Sequence, residues 1–398
     1  SSETAITTTD GTGGGVLDAF LHDYFQRSGN VYNAPGAPGT GMQATGGVIS
    51  DYNDGGTIYR AHIFTSTGDF DVTSLSTDPN IPSNIDYLMV AGGGGGGGGS
   101  PGSYTSGGVG GGGAGGLLTA SSQPVSVQSY PIVIGAGGVG GTGRSGSTGD
   151  TGGTGGNTTF YSLTAYGGGG GGKHHTVGAN GGSGGGGGAG GSGTEKAGGS
   201  SPYNPPQGNA GGHAWTSPGS PPGIYQGGGG GGAGEAGKPG DPGDAAPNWG
   251  FGGAGTASVY AEGPGNPITY AGGGGGGLNH NGGDGAYAAR SGGTGGGGAG
   301  SIRNPPGGIS DDAISGTAGL GGGGGGANVI SSGINPIIFG ANGGSGTVVV
   351  RYKIASVSTA KATGGAISFY GGKTIHTFTN SGTFATTSDW SPTNVEYL

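Results

Sequence analysis

Glycine runs interrupt this chain so often that a side-chain core cannot form along much of its length. Unbroken runs occupy 92–99, 167–172, 227–232, 272–277 and 321–326, and runs with a single alanine occupy 110–116, 184–191 and 295–300. Such a chain can be a solvated coil, or an ordered array in which main-chain hydrogen bonds replace side-chain packing. Apolar residues make up only 29% of the sequence, too little to offset the ordering entropy of glycine by burial alone. The array is favoured because 17 Tyr, 10 Phe and 3 Trp alternate with the runs and with β-branched stretches such as Thr347-Val348-Val349-Val350, which a flexible linker lacks.

The array that suits glycine is a lattice of polyglycine II helices. Each has three residues per turn, a rise of about 3.1 Å and no internal hydrogen bonds, so every N–H and C=O points sideways to a neighbour. At that spacing no Cβ fits, and eight glycines reach about 25 Å. The phasing Gly152-Gly153-Thr154-Gly155-Gly156-Asn157 leaves one outward side chain per turn, as an edge helix requires. From Gly234 the collagen-type triplets Gly-Glu-Ala, Gly-Lys-Pro, Gly-Asp-Pro and Gly-Asp-Ala are too few for a triple helix of their own, and they read as one surface helix of the same lattice. Strands are predicted at 57–64, 85–90, 130–134, 158–166 and 347–354, forming a small sheet or sandwich that clamps the helix ends and decides which run lies beside which. The expected fold class is therefore mainly irregular and all-β: packed polyglycine II helices clamped by short strands, with one short N-terminal α-helix.

An internal repeat sets the boundaries. Ala44-Thr45-Gly46-Gly47-Val48-Ile49-Ser50 returns as Ala362-Thr363-Gly364-Gly365-Ala366-Ile367-Ser368, His62 to Phe70 returns as His376 to Phe384, and Ile85-Asp86-Tyr87-Leu88 returns as Val395-Glu396-Tyr397-Leu398. One module spans 44–355 and closes on Gly346-Thr347-Val348-Val349-Val350-Arg351-Tyr352, and 356–398 holds the opening strands of a second, incomplete one. In this second opening motif Ile375, Phe378, Phe384, Val395 and Tyr397 are candidates for assembly contacts. Residues 1–43 differ in kind: Leu17, Phe20, Leu21, Tyr24 and Phe25 fall on one stripe of an amphipathic helix suited to attachment or assembly. The first residues SSETAITTTD, with no initiator Met or basic leader, point to a processed chain or a piece of a longer one.

Several function classes are excluded by chemistry. A net charge of -9 with only 12 Lys and Arg speaks against nucleic acid, and the apolar runs are too short for membrane insertion. No cofactor is expected: no glycine run ends in the GK[ST] that a phosphate cradle needs. No metal is expected either, since the adjacent His174 and His175 should diverge in an extended chain, and Asp311-Asp312 lacks the spacing of a calcium loop. No catalytic constellation is found, so the chain is read as a non-enzyme. Recognition, if present, should sit on segments that break the lattice, where aromatic faces flanked by polar groups suit a sugar ring or a protein loop. Those residues are Lys173, His174, His175, Tyr203, His213, Trp215, Tyr225, Trp249, Phe251, His280 and Tyr287. The competing reading is that Trp215 and Trp249 pack on the lattice and shield its outer amides.

Together the ATGG motif, the HxFTxxGxF stretch, the [IV][DE]YL strand, the run from Ala91 to Gly99, the Gly113-Ala114-Gly115-Gly116-Leu117 motif, Ile134-Gly135-Ala136-Gly137-Gly138 and the closing Gly-Thr-Val-Val-Val-Arg-Tyr resemble the glycine-rich domain of bacteriophage tail-fibre and tail-tip proteins and of some bacterial surface proteins. The resemblance covers 44–398. It implies stacked polyglycine II helices with host-binding loops at a tip, an extracellular or virion-surface location, and partners among fibre subunits, bacterial surface glycans or outer-membrane proteins. Two alternatives stay open: a self-assembling filament or surface-layer subunit joined by C-terminal strand addition, and ice binding by a flat lattice face.

Overall fold

The computed structural model describes residues 41–99, 107–143, 149–190, 195–216, 224–240, 248–280, 290–303, 312–327, 339–354, 362–370, 373–378 and 381–386. The expected N-terminal helix with Leu17, Phe20, Leu21, Tyr24 and Phe25 lies outside these residues, as do Tyr287, Val395 and Tyr397. Gly41–Leu398 forms one compact unit. Among the described residues there is no α-helix, and none long and apolar enough to cross a membrane.

The strands of the first half are β1 (Gln43–Thr45), β2 (Val48–Asp54), β3 (Thr57–Phe64), β4 (Gly68–Ser74), β5 (Asn84–Val90), β6 (Leu117–Pro124), β7 (Ser129–Val133), β8 (Thr158–Phe160) and β9 (Leu163–Ala165). Further on come β10 (Trp215–Thr216), β11 (Ile224–Gln226), β12 (Thr256–Ser258), β13 (Ile268–Tyr270), β14 (Leu278–His280) and β15 (Ile302–Arg303). The last are β16 (Thr347–Lys353), β17 (Ala362–Thr363), β18 (Ala366–Tyr370), β19 (Lys373–Thr377) and β20 (Ala385–Thr386). The strands predicted at 57–64, 85–90, 130–134 and 347–354 appear as β3, β5, β7 and β16, and 158–166 resolves into the hairpin β8–β9, turned at Tyr161 with φ 52°. β6 was not anticipated, because LLTASSQP lacks the β-branched alternation that marks a strand.

Two five-stranded sheets, ordered β1-β4-β7-β8-β9 and β2-β3-β16-β5-β6, pack as a sandwich. Alternation along each strand divides its side chains between two faces. Ile85, Tyr87 and Met89 of β5 and Val348, Val350 and Tyr352 of β16 turn inward to Phe70, Val72, Tyr130, Ile132 and Phe160 of the other sheet. Leu88, Val90 and Val349 turn outward, onto Ala114, Tyr270 and Ala271 where the glycine segments begin and end. Buried Arg351 fastens this outer face: its guanidinium lies 4.1 Å over the rings of both Tyr59 and Tyr260, and it donates to Asp86 at 2.9 Å and to the Tyr52 hydroxyl at 3.1 Å.

Beyond the sandwich the backbone runs as a threefold lattice. Segment 92–98 makes no bond to itself. Gly92, Gly95 and Gly98 donate to Gly156, Gly153 and Asp150; Gly93 and Gly96 to Gly344 and Ala341; Gly94 and Gly97 to Gly113 and Gly110, all at 2.8–3.0 Å. Its carbonyls accept, with the same period of three, from Gly168 and Gly171, from Gly138 and Gly141, and from Gly324 and Ala327. Six neighbours around one helix, with a repeat of three residues and no internal bond, is the polyglycine II arrangement. Segment 108–116 repeats it, bonded to 92–98, 166–172, 183–189, 225–231, 274–277 and 321–324. A Cβ on Gly96 would fall on the carbonyl of Gly325, and one on Gly112 on that of Gly94, so the approach of the helices requires glycine.

The lattice also recruits segments that are not pure glycine. Stretches near 135–142, 150–157, 196–200, 209–214, 250–255 and 340–346 bond in the same way around the glycine centre. On 150–157 the exposed side chains are Thr151, Thr154 and Asn157, one per turn. The collagen-like stretch is one of these outer helices over Glu235 to Gly240: Gly237 donates to Ala210, Lys238 to Phe251 and Gly240 to His213.

Strand pairing is carried directly into the lattice. The β5–β6 pair Val90 and Leu117 continues as Ala91 with Gly116, Gly94 with Gly113 and Gly97 with Gly110. The β5–β16 pair Val90 and Thr347 continues as Gly93 with Gly344 and Gly96 with Ala341. Each step of three forward on one chain is a step of three back on its partner. The sandwich thereby sets the register of helices that have no side chains to set it themselves.

Candidate functional site

The helices run between two ends of different character. At one end stands the sandwich. At the other, segments 108–116, 209–214, 227–233, 271–277 and 295–301 meet the small sheet β10-β11-β14-β15, whose pairing again continues the lattice: Gln226 opposite Leu278 leads to Gly227 with Gly277 and Gly230 with Gly274. This far end collects most of the recognition residues expected from sequence.

Trp215 and Thr216 of β10 pair with Gln226 and Tyr225 of β11, and β11 sets Ile224 opposite His280 of β14. Trp215 and Tyr225 are half-buried. Trp249 stands in the turn before Gly250, which has φ 67° and accepts from Gly276 at 2.8 Å, beside β14. Phe251 follows, its carbonyl accepting from Lys238. Lys173, His174 and His175 form the turn after 166–172, where the His175 amide donates to Ala189, and Ala189 in turn donates to Gly108 beside Tyr225. The His174 and His175 rings lie 4.2 Å apart at 54°, because φ 62° at His175 folds the second ring back onto the first. This corrects the expectation that neighbouring histidines diverge, which assumes an extended backbone. His213 lies at the same end, its carbonyl accepting from Gly240 and its Nε2 3.9 Å from Oε2 of Glu195, with both side chains exposed.

Tyr203 does not join this group. It stacks on Tyr166 at 3.9 Å and 3°, next to Gln207, at the sandwich end where β9 passes into the lattice. The residues beneath the far end were not visible in sequence: buried Arg290 donates from Nε to Oε1 of Gln226 at 2.9 Å, and Gln226 donates from Nε2 to the carbonyls of Gly227 at 2.8 Å and Gly277 at 3.3 Å. The only sequence signal is a polar residue set between a short strand and a glycine run. Side-chain amides finish the lattice elsewhere too, with Asn157 accepting from Gly167 and Gln207 from Tyr166.

Chemically the far end offers indole, phenol and imidazole faces, main-chain groups and few charges. The pair in which Lys238 holds the Glu235 carboxyl below the usual range lies toward the sandwich, where Ala233 donates to Ala271. Among the described residues no three His, Asp or Glu side chains gather as metal ligands. Aromatic faces with nearby amides suit stacking and hydrogen bonding to a bound surface. At the opposite end a shallow cleft of about 220 Å³ is lined by Tyr59, Asn84, Asp86, Ser122, Arg351 and Lys353, but Arg351 already commits Nε to Asp86 and Nη1 to Tyr52 and Asp54.

Among curated proteins no match to this chain is found. A family model described as a glycine-rich domain matches residues 65–353, from the end of β3 through β16, and so takes in the lattice and most of the sandwich. With well over half its length matched, the chain belongs to the glycine-rich domain family.

Proposed function

We propose that the protein is a structural and adhesive one: a stiff glycine lattice, founded on a β-sandwich, that presents recognition segments at its far end. It acts outside the cell or on a virion, as a component of a viral tail fibre or tail tip, and performs no catalysis. The observation that carries this reading is the gathering of Trp215, Tyr225, Trp249 and the His174-His175 pair where the helices meet β10-β11-β14-β15. A lattice held by main-chain bonds tolerates change at its ends without losing cohesion, which suits display. The partner is a bacterial surface glycan or outer-membrane protein, bound by aromatic stacking and amide hydrogen bonds.

Replacing Trp215, Trp249, His174 and His175 by alanine together should lower binding to a panel of bacterial surfaces by roughly tenfold or more while leaving the melting temperature near that of the parent. Equal binding by parent and variant across that panel would remove the display reading. A second reading, the subunit of an assembled filament, is favoured by the exposure of Ile375, Phe378 and Phe384 in the second opening motif.

A further inference from the structure

The two opening motifs have one geometry and two surroundings. β1 pairs with β4 through Ala44 and Val72, and β17 pairs with β20 through Ala362 and Thr386, the matching positions of the repeat. Ile49 faces His62 across β2–β3 as Ile367 faces His376 across β18–β19. Nδ1 of His62 donates to the Gly46 carbonyl at 2.6 Å, and Nδ1 of His376 to that of Gly364 at 2.8 Å. His62 meets Phe70 edge-on at 5.1 Å, and His376 meets Phe384 edge-on at 5.0 Å.

The outer edge of the first hairpin is covered and that of the second, among the described residues, is not; on its other side β18 lies against β2 and buries Ala366 with Val48 and Tyr52. β16 lies along the outer edge of β3, with Val348 opposite Phe64, Val350 opposite His62 and Tyr352 opposite Arg60, and the Tyr352 ring stacks on His62 at 5.6 Å. Ala61, Phe64 and Phe70 are 0%, 4% and 0% exposed, whereas their counterparts Ile375, Phe378 and Phe384 are 40%, 41% and 42% exposed. Among the described residues β19 pairs with β18 alone. The sequence Gly-Thr-Val-Val-Val-Arg-Tyr occurs once in this chain, and that copy is committed between β3 and β5.

We infer that the outer edge of β19 accepts an antiparallel strand of the β16 pattern, three β-branched residues followed by Arg and Tyr, contributed by a partner segment not already held in a sheet. Its valines come opposite Phe378, Thr377 and His376, and its arginine and tyrosine opposite Ile375 and Thr374, as β16 does on β3. Main-chain bonds supply the affinity of such strand addition and side-chain register its specificity. The tyrosine then stacks on His376, and the apolar surface of Phe378 is covered.

This deepens the assembly reading above, and one experiment separates the two. A synthetic peptide with the sequence of residues 346–354 is added to the full chain, and backbone amide exchange is followed at 373–378. Saturable binding that slows exchange there by roughly tenfold, weakens roughly tenfold in Phe378→Asp, and vanishes for a peptide with proline in place of its central valine supports the inference. No slowing at 373–378, slowing at β3 instead, or equal binding by Phe378→Asp overturns it. Protection at 373–378 without peptide, growing with chain concentration, assigns the edge to a second copy and overturns it too. Filaments in negative stain with no peptide pairing keep the assembly reading and remove this inference, and peptide pairing without filaments does the reverse.

Discussion

The first and second opening motifs share sequence, hairpin register, a histidine bonded to a glycine carbonyl and an edge-on phenylalanine, yet that phenylalanine lies in a core in the first and at a surface in the second. The comparison separates what a local sequence builds from what its neighbours make of it. Gly46 and Gly47 take φ 107° and 62°, and Gly364 and Gly365 take 104° and 65°, so the sharp entry into the hairpin is local. Phe70 is buried because Tyr130, Phe160 and Tyr352 surround it, and none of these belongs to the motif itself.

The comparison can be broken by changes of graded effect. Phe70→Ala should cost about 4 kcal/mol in denaturant unfolding, the loss expected of a large core cavity, and Phe384→Ala less than about 1 kcal/mol; equal losses would show that the second motif is as enclosed as the first. Acid should act next. Burial pushes the His62 imidazole down to about 4, with the Gly46 carbonyl opposing. The neutral form is then required in the fold, so stability is full above the ordinary value near 6.5 and falls as pH drops from there through about 4, by roughly 3 kcal/mol. His62→Gln should flatten that slope, and a Tm profile unchanged by the substitution would contradict the assignment.

Gly46→Ala and Gly364→Ala should each cost about 2 kcal/mol locally, since both residues need a left-handed backbone and a Cβ would meet the carbonyls of Asp69 and Thr383. Amide exchange should show the first change spreading through the sandwich and the second confined to β17–β20, and spreading in both would erase the distinction. Within the first motif the smallest effect is expected at Asp51, which accepts both Nε and Nη2 of Arg60 at 2.8 Å across β2–β3, where the second motif sets Phe369 opposite Thr374. Asp51→Asn should lower stability by about 1.5 kcal/mol, measured by urea unfolding with Arg60→Lys as a companion change.

Much of the lattice was legible because a glycine run has few compact solutions. The runs at 92–99, 110–116 and 272–277 could be placed in threefold helices from composition alone, and the surface role of Glu235 to Gly240 followed from its triplet phase. Other lattice members, such as 209–214 and 340–346, were not legible, since Ala, Asn or Ser at the outward position of each turn hides the glycine period. At the far end the aromatic and histidine segments could be identified but not grouped. Tyr203 sits in the same glycine-poor stretch as Trp215, yet stacks on Tyr166 at the other end because the chain between them runs the length of a helix. The ring contact of His174 and His175 depends on one backbone angle that residue type does not specify.

By itself, the sequence determined the kind of cohesion, main-chain bonds shared sideways, and the two-fold recurrence of the opening motif with its histidine and glycines. Only the tertiary structure decided which helix lies beside which, and that Gly93 bonds to Gly344 while Gly94 bonds to Gly113. The amides and carbonyls of one glycine run are chemically the same as those of another, so the runs carry no information about their neighbours. That choice is made by the side chains of β5, β6 and β16, whose register the lattice inherits.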